Sequence, residues 1–325
     1  MTRRLDWTEY RATELAACDP MRTIAILPLA AIEQHGPHLP VGTDAIIAEG
    51  MLARLRADLP DDLDIRILPV QAIGKSNEHL FAPGTLTLGA TAALQAWTDV
   101  GLSVARTGFR KIVLVNSHGG NADLMSILAR ELRVQAGMLA VKCSWGAFGT
   151  PEGLYTEFEL SQGLHGGDVE TSLMLAFAPH TVDMAAAARF GMVDTPVPPV
   201  GPVSYGWIAT DLNPQGVVGD AHREREQAIG RTGRRVQECR GVVRQRRPLL
   251  DHEQPAAVAL DACPCGCVDA QGVAQGRGCG GVDAAQRSQH TALDPVEFAR
   301  GLQNEAHESA PKRHEGMLNP SRLTG

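Results

Sequence analysis

Glu33, His35, His38 and Asp44 place two carboxylates and two imidazoles within a dozen residues, directly after the apolar run Ile24-Ala25-Ile26-Leu27-Pro28-Leu29. Those residue types are what a divalent-metal site needs, and a buried strand fixes where its own end points. The Gly and Pro residues of the run EQHGPHLPVGTD hold the following loop in a turn from which oxygen and nitrogen donors can converge. A second run, Lys111 to Asn121, ends a buried strand in Asn116-Ser117-His118-Gly119-Gly120-Asn121. His118 there can point into a cleft, and the two glycines let backbone or metal approach closely. Read alone, this segment is equally a tight turn whose histidine bonds a neighbour.

A third constellation is Leu164-His165-Gly166-Gly167-Asp168-Val169-Glu170-Thr171-Ser172. Asp168 fits a helix cap or dipole partner. Glu170 falls in the first turn of the predicted helix, where a carboxylate can bind a cation. His165 is a candidate general acid or base, since an unperturbed imidazole titrates near neutral pH. A fourth segment, Gly74 to Leu86, mixes a hydroxyl, a carboxylate and an imidazole, and Ser76, Glu78 and His79 are candidates for substrate contact or for support of the ligands. A surface loop with a Pro-Gly turn explains the same residues. Trp145 is a candidate pocket wall, although most such aromatics are core or rim.

The elements that must position these residues alternate. Strands are expected at 23–29, 65–73, 111–115 and 138–144, and helices at 44–58, 91–107, 121–135 and 168–177, from β-branched apolar runs and amphipathic stretches respectively. Such alternation predicts an α/β fold with a mainly parallel central sheet flanked by helices. Ligands in these sheets sit at the carboxyl ends of the strands. The loops leaving those ends are the ones that carry the unusual residues, so three distant polar segments are expected to meet on one edge.

Composition narrows the function classes. The chain has 325 residues, 44% of them hydrophobic, and no apolar run long enough to span a membrane. Its start lacks the apolar core and small-residue cleavage site of an export signal, so a cytoplasmic protein is expected. A net charge of -7 gives no reason to expect nucleic acid or an anionic membrane as partner. Of seven cysteines, only Cys18 and Cys143 precede residue 230, which offers no argument for disulfides. Beyond about residue 222 the pattern changes: residues 222–247 carry nine arginines without a sustained apolar face, and 255–290 have no helical or strand period. Residues 222–325 are therefore expected to be a poorly ordered tail, either an unusual extension or a displaced reading frame. Cys263, Cys265 and Cys267 have C-x-C-x-C spacing, unlike the paired C-x-x-C of zinc ribbons.

Together the runs EQHGPHLPVGTD, SNEHLFAPGTLTL, NSHGGN and HGGDVETS, in this order and at these separations, resemble the creatininase (creatinine amidohydrolase) family over roughly residues 20–220. The resemblance implies that residues 1–221 form one metal-dependent amidohydrolase domain with a two-metal centre, zinc or manganese, hydrolysing a cyclic or linear amide. It also implies a small-molecule amide substrate and a homo-oligomer, commonly a hexamer. Carried over by motif, Glu33 and His118 would bind one metal, His35 the other, and Asp44 would bridge both. His165 aligns with the catalytic histidine and would protonate the departing nitrogen. Creatinine-hydrolysing members carry a Glu two positions after the histidine matching His118, whereas this chain has Gly120. Glu170 is expected to supply that carboxylate. A formamide deformylase, a peptidase in cofactor maturation and a non-catalytic metal-binding relative remain alternatives.

Overall fold

The computed structural model describes residues 3–149 and 153–222. Four strands form one parallel sheet in the order β2-β1-β3-β4, with β1 Ile24–Leu29, β2 Ile65–Ile67, β3 Lys111–Asn116 and β4 Leu139–Ser144. Every residue of the central strands β1 and β3 is buried. That is why both read as continuous apolar runs, without the alternation of a sheet that faces water on one side. The helices are α1 Ala12–Ala16, α2 Thr43–Asp58, α3 Ala90–Arg106, α4 Ala122–Ala136, α5 Glu157–Gln162, α6 Asp168–Phe177 and α7 Ala209–Leu212. None of the described helices is long and apolar enough to cross a membrane.

The expected elements are found within one or two residues, with one exception. The second strand ends at Ile67, short of residue 73. Pro69 has no N–H for the ladder, yet the chain keeps alongside β1 through Leu68 N–H to Ile26 O at 2.9 Å and Gln71 N–H to Pro28 O at 2.9 Å. The residues after it therefore still leave the sheet at the carboxyl edge.

One core cluster lies between the sheet and α3 and α4, around Leu27, Trp97, Phe109, Leu114, Leu128 and Leu132. Another, with Ile26, Leu52, Ile65 and Val113, backs the opposite face. Helix α6 packs on α2 so closely that a Cβ on Gly50 would fall inside the Phe177 ring. A two-residue antiparallel pair, β5 Arg189–Phe190 with β6 Gly219–Asp220, closes the region after α6. The expectations placed on residues 223–325, the arginine cluster and the cysteine run among them, lie outside the described residues.

Candidate metal centre

Three strand-end loops converge, as the alternation predicted, and Asn121 ties them. Its Nδ2 donates to Ala30 O after β1 and to Asn116 Oδ1 at the end of β3, both at 3.1 Å, and its Oδ1 accepts from Lys75 N–H after β2 at 3.0 Å. The loop after β1 turns at Gly36, whose φ of 75° favours glycine. Gln34 Oε1 accepts the Gly36 N–H at 2.7 Å, which orients the Gln34 amide.

Within this edge the titratable side chains sort into two groups sharing one carboxylate. His118 Nδ1 lies 3.2 Å from Glu33 Oε1 and 3.4 Å from Asp44 Oδ2. His35 Nε2 lies 3.5 Å from Asp44 Oδ1 and 3.7 Å from Glu170 Oε2. Asp44, in the first turn of α2, thus offers one oxygen to each group. The backbone sets both tautomers. His118 Nε2–H donates to Lys75 O at 2.9 Å, and His35 Nδ1–H donates to Glu33 O at 3.1 Å, so each ring turns its other nitrogen toward the acids.

Glu33 Oε1, His35 Nε2 and Asp44 Oδ2 are buried with no hydrogen-bond partner. Buried polar atoms are ordinarily satisfied, and three such atoms converging in one place, all nitrogen or carboxylate oxygen, make a donor set for a divalent cation. Glu33, His35 and Asp44 offer ligand atoms mutually within 4.8 Å, as do His35, His165 and Glu170.

The electrostatics carry the same mark. Burial works against a charged His118, but Glu33 and Asp44 outweigh it and raise its pKa to about 9. Burial likewise opposes charge on His35, and Asp44 and Glu170 push its pKa well up. Burial raises Asp44 to about 6 despite His35. Glu170 goes to about 2, burial being overcome by His35. This is charge packed to be balanced from within.

His165 sits between two imidazoles, its ring 4.2 Å from that of His35 and 4.3 Å from that of His79. Its Nε2–H donates to Gln34 O at 2.6 Å, which leaves Nδ1 facing Glu33 Oε1 at 3.4 Å. Burial, then His35, lowers its pKa. Ser76 donates its hydroxyl to Glu33 Oε2. His79 Nε2 is 3.6 Å from Glu33 Oε1, while its Nδ1 faces the Gln34 amide at 3.2 Å. Glu78 pairs with Lys75 Nζ at 2.7 Å and reaches to 3.8 Å from His118 Nε2. Trp145 lies farther out, its indole N–H on Ser117 Oγ at 3.1 Å and its ring against the second core cluster.

Sequence reasoning gave neither Gln34 nor the Val217-Val218 segment a role in the site. Gln34 lies between two candidate ligands, Glu33 and His35, and could have been found by asking what orients them. Val218 gave no signal, because it supports the site through backbone: its O accepts from His165 N–H at 3.0 Å and its N–H donates to His165 O at 2.8 Å.

A family model for creatininase, creatinine amidohydrolase, matches residues 8–235. A mycofactocin precursor peptide peptidase of Mycolicibacterium smegmatis is 31% identical over 164 residues, which is 50% of this chain. This chain spans only 61% of that relative's length. A creatinine amidohydrolase of Pseudomonas putida is 31% identical over 196 residues, 55% of this chain and 72% of that one. Among solved structures, a zinc–zinc form of a creatininase variant has a TM-score of 0.55 at 25% identity, covering 76% of this chain and 100% of the other. A manganese creatininase has a TM-score of 0.53 at 24% identity, with the same coverage.

Proposed function

The chain belongs to the creatininase family, and on that premise we propose that it hydrolyses a carbon–nitrogen amide bond with two divalent cations, zinc or manganese. Glu33, His118 and Asp44 would hold one cation, and His35, Asp44 and Glu170 the other. A single observation carries this reading: Asp44 directs Oδ1 at His35 Nε2 and Oδ2 at His118 Nδ1, among buried donor atoms that nothing else satisfies.

Two such ions, when bound, would supply a water acidic enough to attack near neutral pH and would polarise the amide carbonyl. The chain's own residues do the rest. With its Nε2–H committed to Gln34 O, His165 presents the Nδ1 lone pair to the centre and, its pKa lowered by burial, stands ready as a base. It takes the proton of the attacking water at Nδ1 as the carbon–oxygen bond forms. It returns that proton to the amide nitrogen as the carbon–nitrogen bond breaks, and a neutral amine leaves. Ser76, by occupying Glu33 Oε2, keeps Oε1 free for the cation. His79 offers its Nε2 edge to substrate oxygens beside His165.

A second reading, peptide-like amides over creatinine, is favoured by the surroundings. Gly120 provides no carboxylate where the creatinine-hydrolysing members have one. The cavity of about 380 Å³ over Gln34 and His35 opens between Val41, Phe81 and Pro83, and both Val41 and Phe81 are exposed. Apolar walls suit an apolar side chain next to the scissile bond better than a small polar ring. The M. smegmatis relative's name agrees with this direction.

The test is metal content by elemental analysis in wild type and Glu170→Ala, with hydrolysis of creatinine, a formamide and short peptides assayed in parallel. About two ions per chain, falling to about one in the variant, are expected for a paired site. A wild-type protein without tightly held metal overturns the catalytic reading and leaves a non-enzymatic relative. Turnover of creatinine but not of peptides removes the second reading.

A further inference from the structure

Glu159 is a buried acid that neither donor group nor the proton path uses. Its Oε1 accepts from Val169 N–H at 3.2 Å and its Oε2 from Asp220 N–H at 2.8 Å. Asp168 N–H is a further backbone donor to it. Asp168 and Val169 are the first two residues of α6, and the residue before them, Gly167, caps nothing with a side chain. The Glu159 carboxylate therefore takes from outside the helix the amides that a helix start leaves open.

Glycines line the place where it sits. A Cβ on Gly167 would overlap Oε1, one on Gly163 would overlap the carboxylate carbon, and one on Gly219 would come within 3.0 Å of Oε2. Gly163 and Gly167 have φ of -69° and -85°, values any residue adopts, so space rather than backbone freedom explains them. These three glycines belong to three segments, the end of α5, the start of α6 and β6. Between the first two lies His165, and two residues into α6 beyond Asp168 comes Glu170.

We propose that Glu159 is a positioning residue, a buried carboxylate in a glycine cradle that clamps the start of α6 to β6 and so sets Glu170 against His35. The inference rests on the two-cation reading above. Of the donors only Glu170 lies on α6, whereas Glu33 and His118 follow β1 and β3 and Asp44 opens α2. Loss of the clamp is therefore expected to act on one ion and spare the other, which a general loss of stability would not do.

The experiment uses the full chain, with Glu159→Gln, which keeps one acceptor oxygen, Glu159→Ala, which keeps none, and Leu160→Ala as a control on the exposed side of α5. Mn²⁺ affinity is read by titration against a chelator, and amide hydrogen exchange is followed at Val169 and Asp220. Glu159→Ala is expected to weaken one ion by about 10- to 100-fold, as lost supporting contacts typically do, with Glu159→Gln between it and wild type. Exchange at both amides is expected to accelerate in the same order, and Leu160→Ala to match wild type. Unchanged affinities, or equal weakening of both ions, overturns the proposal. If Glu159→Ala does not fold, the Glu159→Gln shift alone decides. Fewer than two ions on wild type overturns the two-cation reading instead. Exchange then decides the clamp by itself, and unaltered rates at Val169 and Asp220 refute it.

Discussion

On the two-cation reading proposed above, His118 is where proton and cation would compete. Its Nδ1 must be bare to bind metal, yet against burial Glu33 and Asp44 raise its pKa to about 9 in the metal-free chain. On the proposed reading, metal binding would therefore have to displace a proton from His118, and another from His35, whose pKa is also raised. Apparent metal affinity is expected to rise with pH up to about 9, by about tenfold per unit for each proton displaced. Calorimetric titration in two buffers of different ionisation heat reads that release directly. No proton release at pH 7 would mean that His118 is not a ligand. The metal-free chain should show the opposite trend. A raised histidine pKa stabilises the fold below the unfolded value of 6.5, and this contribution is lost as pH rises through about 9. Chemical denaturation of chelator-treated protein at pH 6.5 and 9 checks the sign.

At the scale of elements, Gly120 shows how a loop and a turn divide one space. It is absent from the glycines with positive φ, so its backbone does not require glycine. A Cβ there would overlap Glu78 Oε1, from the short 3-10 turn Asn77–His79 after β2, and would also fall too close to His118 Nε2 and to Lys75 O. Gly120→Ala is expected to destabilise by about 1–3 kcal/mol, the usual cost of overpacking. In the Gly120→Ala, Glu78→Ala double variant part of this should return, with a coupling of about 0.5–3 kcal/mol. Additive effects in thermal unfolding would show that the two side chains do not share the space. The same pair explains what was legible beforehand. Gly120 stood out as a departure from the creatinine-type pattern, but its partner Glu78 lies 42 positions away and nothing local links them. The strands and long helices were legible because burial on both faces writes continuous apolar runs into β1 and β3. The pairing of β5 with β6 was not, since a two-residue ladder leaves no period and its contribution to the site runs through backbone atoms. Glu159 was invisible for the same reason: its partners are main-chain amides, which every sequence supplies.

Over the whole molecule, the centre joins parts of the chain that otherwise meet only through packing. Glu33 and His35 follow β1, Asp44 opens α2, His118 follows β3 and Glu170 lies in the first turn of α6. Without a cation these elements bring like charges together in a buried place, where Glu33 adds to the cost of ionising Asp44. With one, on the proposed reading, the same groups would become cross-links between the sheet and two helices, and any ion that binds only the folded chain stabilises it by mass action. Thermal unfolding of chelator-treated protein should therefore shift upward with added Mn²⁺ or Zn²⁺, by about 2.7 kcal/mol at a hundred times the dissociation constant. The shift should saturate in two steps for wild type. In Glu170→Ala only the step belonging to Glu33, His118 and Asp44 should survive. A unit that melts at the same temperature with and without metal would show that the ions do not bridge these elements, whatever their count.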